Sequence, residues 1–356
     1  MQRWRKVVFG CATALAFTLL VEGCSNVLVC WSDVSHLARP ALAERLHTHY
    51  DAELGWTNTA GLRVEDAYGP GRTVTINAQG FRGAADTLVA RPAGRTRIVC
   101  SGDSFTFGYG VADADAWPAQ LGALDARLDV VNLALGGYGI DQMYLRYLRD
   151  GLPLEQDVHV VAAISDDFAR MASDRFSGYG KPWLDVDGGR LVARNVPVPE
   201  TGFATPWLTQ NAPLFRRLGV VELARRMTGA EEPQKRREVM SLEDAANRAR
   251  AALADLRARS ATPLVFVYLP VLQDVLPNST DFLREPFLEA LRADGVTVID
   301  LVPALRADPP RELDAFFLAP GVVDFPGAQG HYTPAGNRWA AEHVLAGLRG
   351  AGLAPR

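Results

Sequence analysis

The chain has 356 residues, of which 48% are hydrophobic and 22% charged, a balance that gives a globular protein enough apolar material for a sizeable core. A formal net charge of −4 gives no support for nucleic acid or an anionic surface as a partner. The four cysteines have no metal-ligand spacing such as C-x-x-C, which argues against a zinc site, and Cys100 reads as a small core residue.

In chain order, residues 1–31 stand apart from the rest. Arg3, Arg5 and Lys6 precede an apolar stretch at 7–21, the pattern of a signal anchor or a secretory signal peptide. Val27-Leu28-Val29-Cys30-Trp31 extends that stretch past Glu22 towards the length that spans a bilayer. Leu20-Val21-Glu22-Gly23-Cys24 also has the look of a lipoprotein cleavage site, which is the second reading. Both readings place the globule outside the cytoplasm, with the N-terminal segment in the cytoplasmic membrane.

Residues 32–92 form a lead-in, and residues 93–356 carry the main domain. Five short apolar runs, at 97–100, 128–135, 157–164, 264–269 and 296–301, alternate with helical patterns. Continuous apolar strands of this kind are covered on both faces, as in a parallel sheet. The expected fold is therefore α/β, a flavodoxin-like three-layer sandwich with a central parallel sheet of about five strands. Ser241-Leu242-Glu243-Asp244 predicts the capped start of a helix running to about Arg259. Thr333-Pro334 predicts the N-cap and first residue of the last helix. Residues 171–232 break the alternation and are rich in Gly, Pro and aromatics, including Trp183, Phe203, Trp207 and Phe215, so they read as a functional insertion.

Gly102-Asp103-Ser104 follows the first apolar run directly. A hydroxyl at the point where a strand hands over to a helix lies at the sheet's carboxyl edge, where ligands bind in such folds. Ser104 is thus the candidate nucleophile, and it needs a base. Of six histidines, His36, His47 and His49 precede the domain, His159 lies inside an apolar run and His343 lies mid-helix. His331 alone sits in a Gly-flanked loop before a capped helix, and it is the candidate base. Gly137, in Gly136-Gly137-Tyr138-Gly139, offers a backbone N–H to an oxyanion, since a residue without Cβ allows close approach.

Taken in order, Gly102-Asp103-Ser104-Phe105, then Asn132-Leu133-Ala134-Leu135-Gly136-Gly137-Tyr138-Gly139, then Gly330-His331-Tyr332-Thr333-Pro334 resemble blocks I, II and V of the SGNH (GDSL-type) hydrolase superfamily. Glu53-Leu54-Gly55-Trp56 and Ile76-Asn77-Ala78-Gln79-Gly80-Phe81-Arg82-Gly83 resemble the lead-in of its membrane-anchored bacterial members. No G-x-S-x-G elbow is present, which argues against an α/β-hydrolase. The resemblance implies that the N–H of Ser104 is a second oxyanion donor. It also exposes two departures. Asp166, in Ile164-Ser165-Asp166-Asp167-Phe168, stands where the family places a donating Asn. A carboxylate there donates only if protonated; otherwise it weakens the site, or it caps the following turn while Ser165 or Asp167 faces the substrate. Ala328 and Gln329 occupy the places of the family's orienting acid, which leaves Asp324 as the nearest upstream candidate.

What this reading implies is an exported serine esterase or acyl-ester deacylase acting through Ser104, His331 and Asp324, with Ser104, Gly137 and Asp166 at the oxyanion. Its partner would be a small-molecule or O-acylated envelope carbohydrate ester, and no metal or organic cofactor is required. An O-acyltransferase on the same fold, or a non-catalytic envelope binding protein with a decayed site, are the alternatives.

Overall fold

The computed structural model describes residues 2–37, 47–199, 218–227, 240–277 and 280–356. The chain divides into two compact units, residues 1–41 with 201–235, and residues 42–200 with 236–356. This differs from the division drawn at 31 and 92: residues 42–92 and the first part of the insertion belong with the sandwich. Phe203, Trp207 and Phe215 lie outside the described residues.

In the first unit, Gln2–Leu37 is one continuous helix. Its segment Arg3–Trp31 is long and apolar enough to cross a membrane, a property that a signal sequence shares. Phe9, Phe17, Leu20 and Trp31 are exposed along it. Glu22, the one acid in that apolar run, accepts hydrogen bonds from the N–H groups of Gly219 (2.5 Å) and Val220 (3.1 Å). These amides open the helix Gly219–Met227, where the first N–H groups have no intrahelical acceptor.

The second unit is built on five strands: β1 (Thr96–Ser101), β2 (Leu128–Asn132), β3 (Val158–Ala163), β4 (Leu264–Tyr268) and β5 (Thr297–Asp300). They form one parallel sheet in the order β5-β4-β3-β1-β2, the flavodoxin-like arrangement expected. Every residue of β3 and β4 is buried, because helices cover both faces. The helices Trp117–Leu124 and Pro334–Gly350 pack together, as do Ile140–Arg146, Ser165–Met171 and Asp281–Ala293 around Leu242–Arg259. Ser241 caps the last of these through the Asp244 N–H (3.1 Å), and Thr333 caps Pro334–Gly350 through the Gly336 N–H (3.2 Å). The strand order reverses between β1 and β3, so a crevice opens there at their carboxyl ends.

Two histidines are part of this core. His159 on β3 stacks on Tyr147 (3.5 Å) and shares a hydrogen bond with the Ser101 hydroxyl (2.9 Å). His47 stacks on Phe107 (4.7 Å) and meets the Asn58 carboxamide (3.1 Å). Burial pushes their pKa values down, to about 3 and about 4. In the unfolded chain each protonates near 6.5, so between pH 6.5 and about 3 the unfolded state binds more protons and stability falls as the pH falls. Shifts of this size are worth about 3–5 kcal/mol each once the titration is complete. The melting temperature is therefore expected to drop steadily below pH 6.5. His159→Gln, which keeps a partner for Ser101 but cannot charge, is expected to flatten the slope; an unaltered slope would show that the acid sensitivity lies elsewhere.

Candidate active site

The Gly-Asp-Ser turn follows from close packing at the end of β1. A Cβ on Gly102 would lie 2.2 Å from the Thr106 hydroxyl and 3.0 Å from the Ala162 carbonyl, so glycine lets the chain pass against β3. Asp103 then caps the short helix Ser104–Phe107, its carboxylate accepting from the Phe105 N–H (2.9 Å). Ser104 is the first residue of that helix, where an N–H has no intrahelical acceptor.

Ser104 and His331 are 227 residues apart in the chain and in contact in the fold. The Ser104 hydroxyl lies 2.7 Å from His331 Nε2. The imidazole is stacked on Phe105 (4.4 Å) and flanked by Tyr109 (5.4 Å). Burial lowers its pKa to about 4, with Asp103 pulling it up and Arg170 pulling it down. The ring is accordingly neutral at pH 7, and if Nε2 accepts the serine proton then Nδ1 carries the hydrogen. Nδ1 is buried and makes no hydrogen bond among the described residues, although the Gln329 and Ala328 carbonyls nearby raise the ring's basicity.

The loop after β2 is laced to the same turn. Leu135 donates to the Gly102 carbonyl (3.1 Å), and the Asn132 amide donates to Thr106 O (2.9 Å). Gly137 follows with φ +77°, and a Cβ there would lie 2.3 Å from the Phe176 ring. Among the described residues neither the Gly137 nor the Ser104 N–H donates to an intramolecular acceptor.

Asp324 is not brought to the pair. Its carboxylate is exposed beside Gly69 and Arg72, and its N–H donates to Tyr68 O (3.3 Å), because that loop is drawn onto the lead-in segment. Asp166 stands exposed on the wall of a cleft of about 690 Å³ that is also lined by His331, Arg170, Gln273, Asp314 and Gln329. The turn there is capped by Asp167 instead, which accepts from the Ile164 N–H (3.0 Å). Asp166→Asn replaces a charge on the cleft wall with a neutral donor of nearly equal size. It is expected to raise kcat on short esters, with the 10²–10³-fold worth of one oxyanion donor as a rough ceiling. A kept kcat whose alkaline loss is flattened would show instead that Asp166 donates as a protonated acid, and an unchanged kcat and pH profile would rule out both roles.

Further residues shape this site: Trp56, Arg82 and Tyr138 from the segments that carry the resemblance, and Lys181 and Arg170 from outside them. The Trp56 indole donates to Gly136 O (3.0 Å), and the Tyr138 hydroxyl donates to Trp56 O (2.6 Å). Arg82 donates to the Phe107, Gly108 and Val111 carbonyls and pairs with Asp113 (3.2 Å). Lys181, fully buried, pairs with Asp141 (2.5 Å) and ties the hairpin Arg175–Gly180 to the helix that follows Gly137. Arg170 pairs with both Asp103 (2.9 Å) and Asp167 (2.6 Å). Its one sequence signal is the three-residue spacing from Asp167, which alone is an ordinary helix-surface pair.

A parallel five-stranded sheet with a Gly-Asp-Ser turn at this edge defines the class of SGNH-type ester hydrolases. More particularly, residues 100–339, over half of the chain, match the GDSL-like lipase/acylhydrolase family, and the chain belongs to that family of ester-bond hydrolases. Among solved structures it is similar to a putative lipolytic protein of the G-D-S-L family from Desulfitobacterium hafniense (15% identity, TM-score 0.42, covering 71% of this chain and 100% of that one). It is also similar to a lipase/acylhydrolase from Enterococcus faecalis (14%, TM-score 0.42, 72% and 96%) and to a catalytic mutant of an acetylxylan esterase from Geobacillus stearothermophilus (12%, TM-score 0.42, 72% and 96%). No curated protein matches the chain.

Proposed function

We propose that this protein is an exported serine esterase that removes acyl groups from an O-acylated envelope carbohydrate, with its helix Gln2–Leu37 held in the cytoplasmic membrane. The observation that carries the reading is the 2.7 Å contact between the Ser104 hydroxyl and a half-buried, neutral His331 at the switch point of the sheet. Ser104 Oγ attacks the ester carbonyl while its proton passes to Nε2. The oxyanion is held by the Ser104 and Gly137 N–H groups. His331 returns the proton to the departing alcohol, and water then cleaves the acyl-enzyme by the same steps. The leaving alcohol lies on the His331 side, where Gln273, Asp314 and Gln329 offer hydrogen-bonding groups suited to a sugar's hydroxyls. Transfer to a second sugar hydroxyl needs no further residue, since that hydroxyl replaces water in the second half.

Labelling with a fluorophosphonate probe, followed by peptide mapping, tests this directly. Modification confined to Ser104 supports an activated nucleophile. A folded protein that resists the probe would favour the binding-protein alternative.

A further inference from the structure

Two acceptors compete for the single proton of Ser104. His331 Nε2 lies 2.7 Å from the hydroxyl oxygen, and the Asp103 carboxylate oxygen Oδ2 lies 3.4 Å from it. Asp103 is fully buried, and a buried carboxylate oxygen without a donor draws in whatever donor is nearest. The nearest hydroxyl is the nucleophile itself. Its other oxygen, Oδ1, is already committed to the Phe105 N–H.

We infer that Arg170 is a positioning residue that occupies Asp103 Oδ2 and so reserves the Ser104 proton for His331. The inference rests on the reading of Ser104 and His331 as the reacting pair. One nitrogen of the guanidinium, Nη1, lies within hydrogen-bond distance of Asp103 Oδ2 (2.9 Å), Asp167 Oδ1 (2.6 Å) and the Tyr138 carbonyl (3.2 Å), its two N–H groups shared among the three. These three acceptors belong to the nucleophile turn, to the helix Ser165–Met171 and to the oxyanion loop directly after Gly137. The same guanidinium lies over the Phe176 ring (5.2 Å), which is the ring packed against Gly137. Asp167 is itself fixed by the Ile164 N–H, so Arg170 is also held by a second, anchored carboxyl group. Its single charge between two buried carboxylates also offsets part of their desolvation cost. Arg170 thus acts on the reaction through Asp103 and through the loop that carries Gly137, without touching the reacting carbonyl.

The test compares wild type, Arg170→Ala and Arg170→Lys on p-nitrophenyl acetate, with kcat and KM separated and folding followed by near-UV circular dichroism. Arg170→Ala is expected to lower kcat about 10²-fold, the usual cost of a misdirected reacting group, with KM changed by less than about 3-fold. Arg170 also lines the cleft, so the space left by the alanine is open to small solutes. Guanidinium at tens of millimolar is expected to restore at least about one tenth of the lost kcat in that variant and to leave wild type unchanged. Arg170→Lys, whose ammonium has a donor for each of the three acceptors but ends one bond short of them, is expected to fall between the two. A folded Arg170→Ala with kcat within about 3-fold of wild type, or a loss confined to KM, overturns the inference while leaving the esterase reading intact. If the alanine variant does not fold, Arg170→Met, which keeps the apolar stem and drops the charge and donors, decides in the same terms: wild-type kcat overturns the inference, and a loss of about 10-fold or more at unchanged KM supports it. Wild-type turnover that does not depend on Ser104 overturns the reading and the inference together.

Discussion

Ser104→Ala is expected to lower turnover of a short p-nitrophenyl ester by about 10⁴-fold or more while leaving the fold intact, as removal of a triad member does in serine proteases. The hydroxyl's partners are His331 Nε2 and, more distantly, Asp103. Asp103 keeps its bonds to Phe105 N–H and Arg170 when the hydroxyl is gone, so the turn loses no support. The melting temperature should move little. Turnover near the wild-type level would remove Ser104 from the mechanism.

The second large effect is expected at Gly137. Its φ of +77° lies in the left-handed region that side chains rarely adopt, and an added Cβ meets the Phe176 ring at 2.3 Å. That ring is backed by Trp56 (6.0 Å) and lies under Arg170, so it has little room to retreat. Gly137→Ala should therefore shift the loop that offers the oxyanion N–H, at a cost of about 10²–10³-fold in kcat. KM should change far less, because the cleft walls that hold the alcohol part come from other loops. Measuring both constants on one short ester checks this. A loss expressed only in KM would place Gly137 in substrate binding and leave the oxyanion without its second donor.

How much of this is legible in the chain follows from what each feature depends on. The five strands are, because strands covered on both faces leave unbroken apolar runs, and all five runs overlap observed strands. Ser104 and His331 are marked by local context, a turn after a strand and a loop before a capped helix. Arg170 is not, and the lead-in segments that hold Trp56 and Arg82 show a resemblance without the roles, since all three act through contacts made across 67, 80 and 25 to 29 residues that no spacing announces. Asp324 shows the reverse error. Seven positions before His331 is close in the chain, but the loop between them folds onto Tyr68 and Gly69, and nearness in sequence does not survive it. The insertion is divided between the two compact units at residue 200, and its first part joins the sandwich, where Lys181 pairs with an acid 40 residues earlier.

For anyone preparing a soluble form, the lacing of the lead-in decides where to cut. A boundary at residue 93 looks natural, just ahead of β1, yet it would discard the Trp56 indole that holds Gly136 and the Arg82 guanidinium that gathers the carbonyls of residues 107–111. What remained would keep all five strands and the serine but lose the bond that holds Gly136, next to the proposed oxyanion donor Gly137. Cutting between residues 37 and 47 removes the apolar helix and spares every one of those ties. The lead-in is therefore part of the compact unit rather than a tether to it, since Trp56, Tyr68, Val74 and Ile76 are all buried in its core.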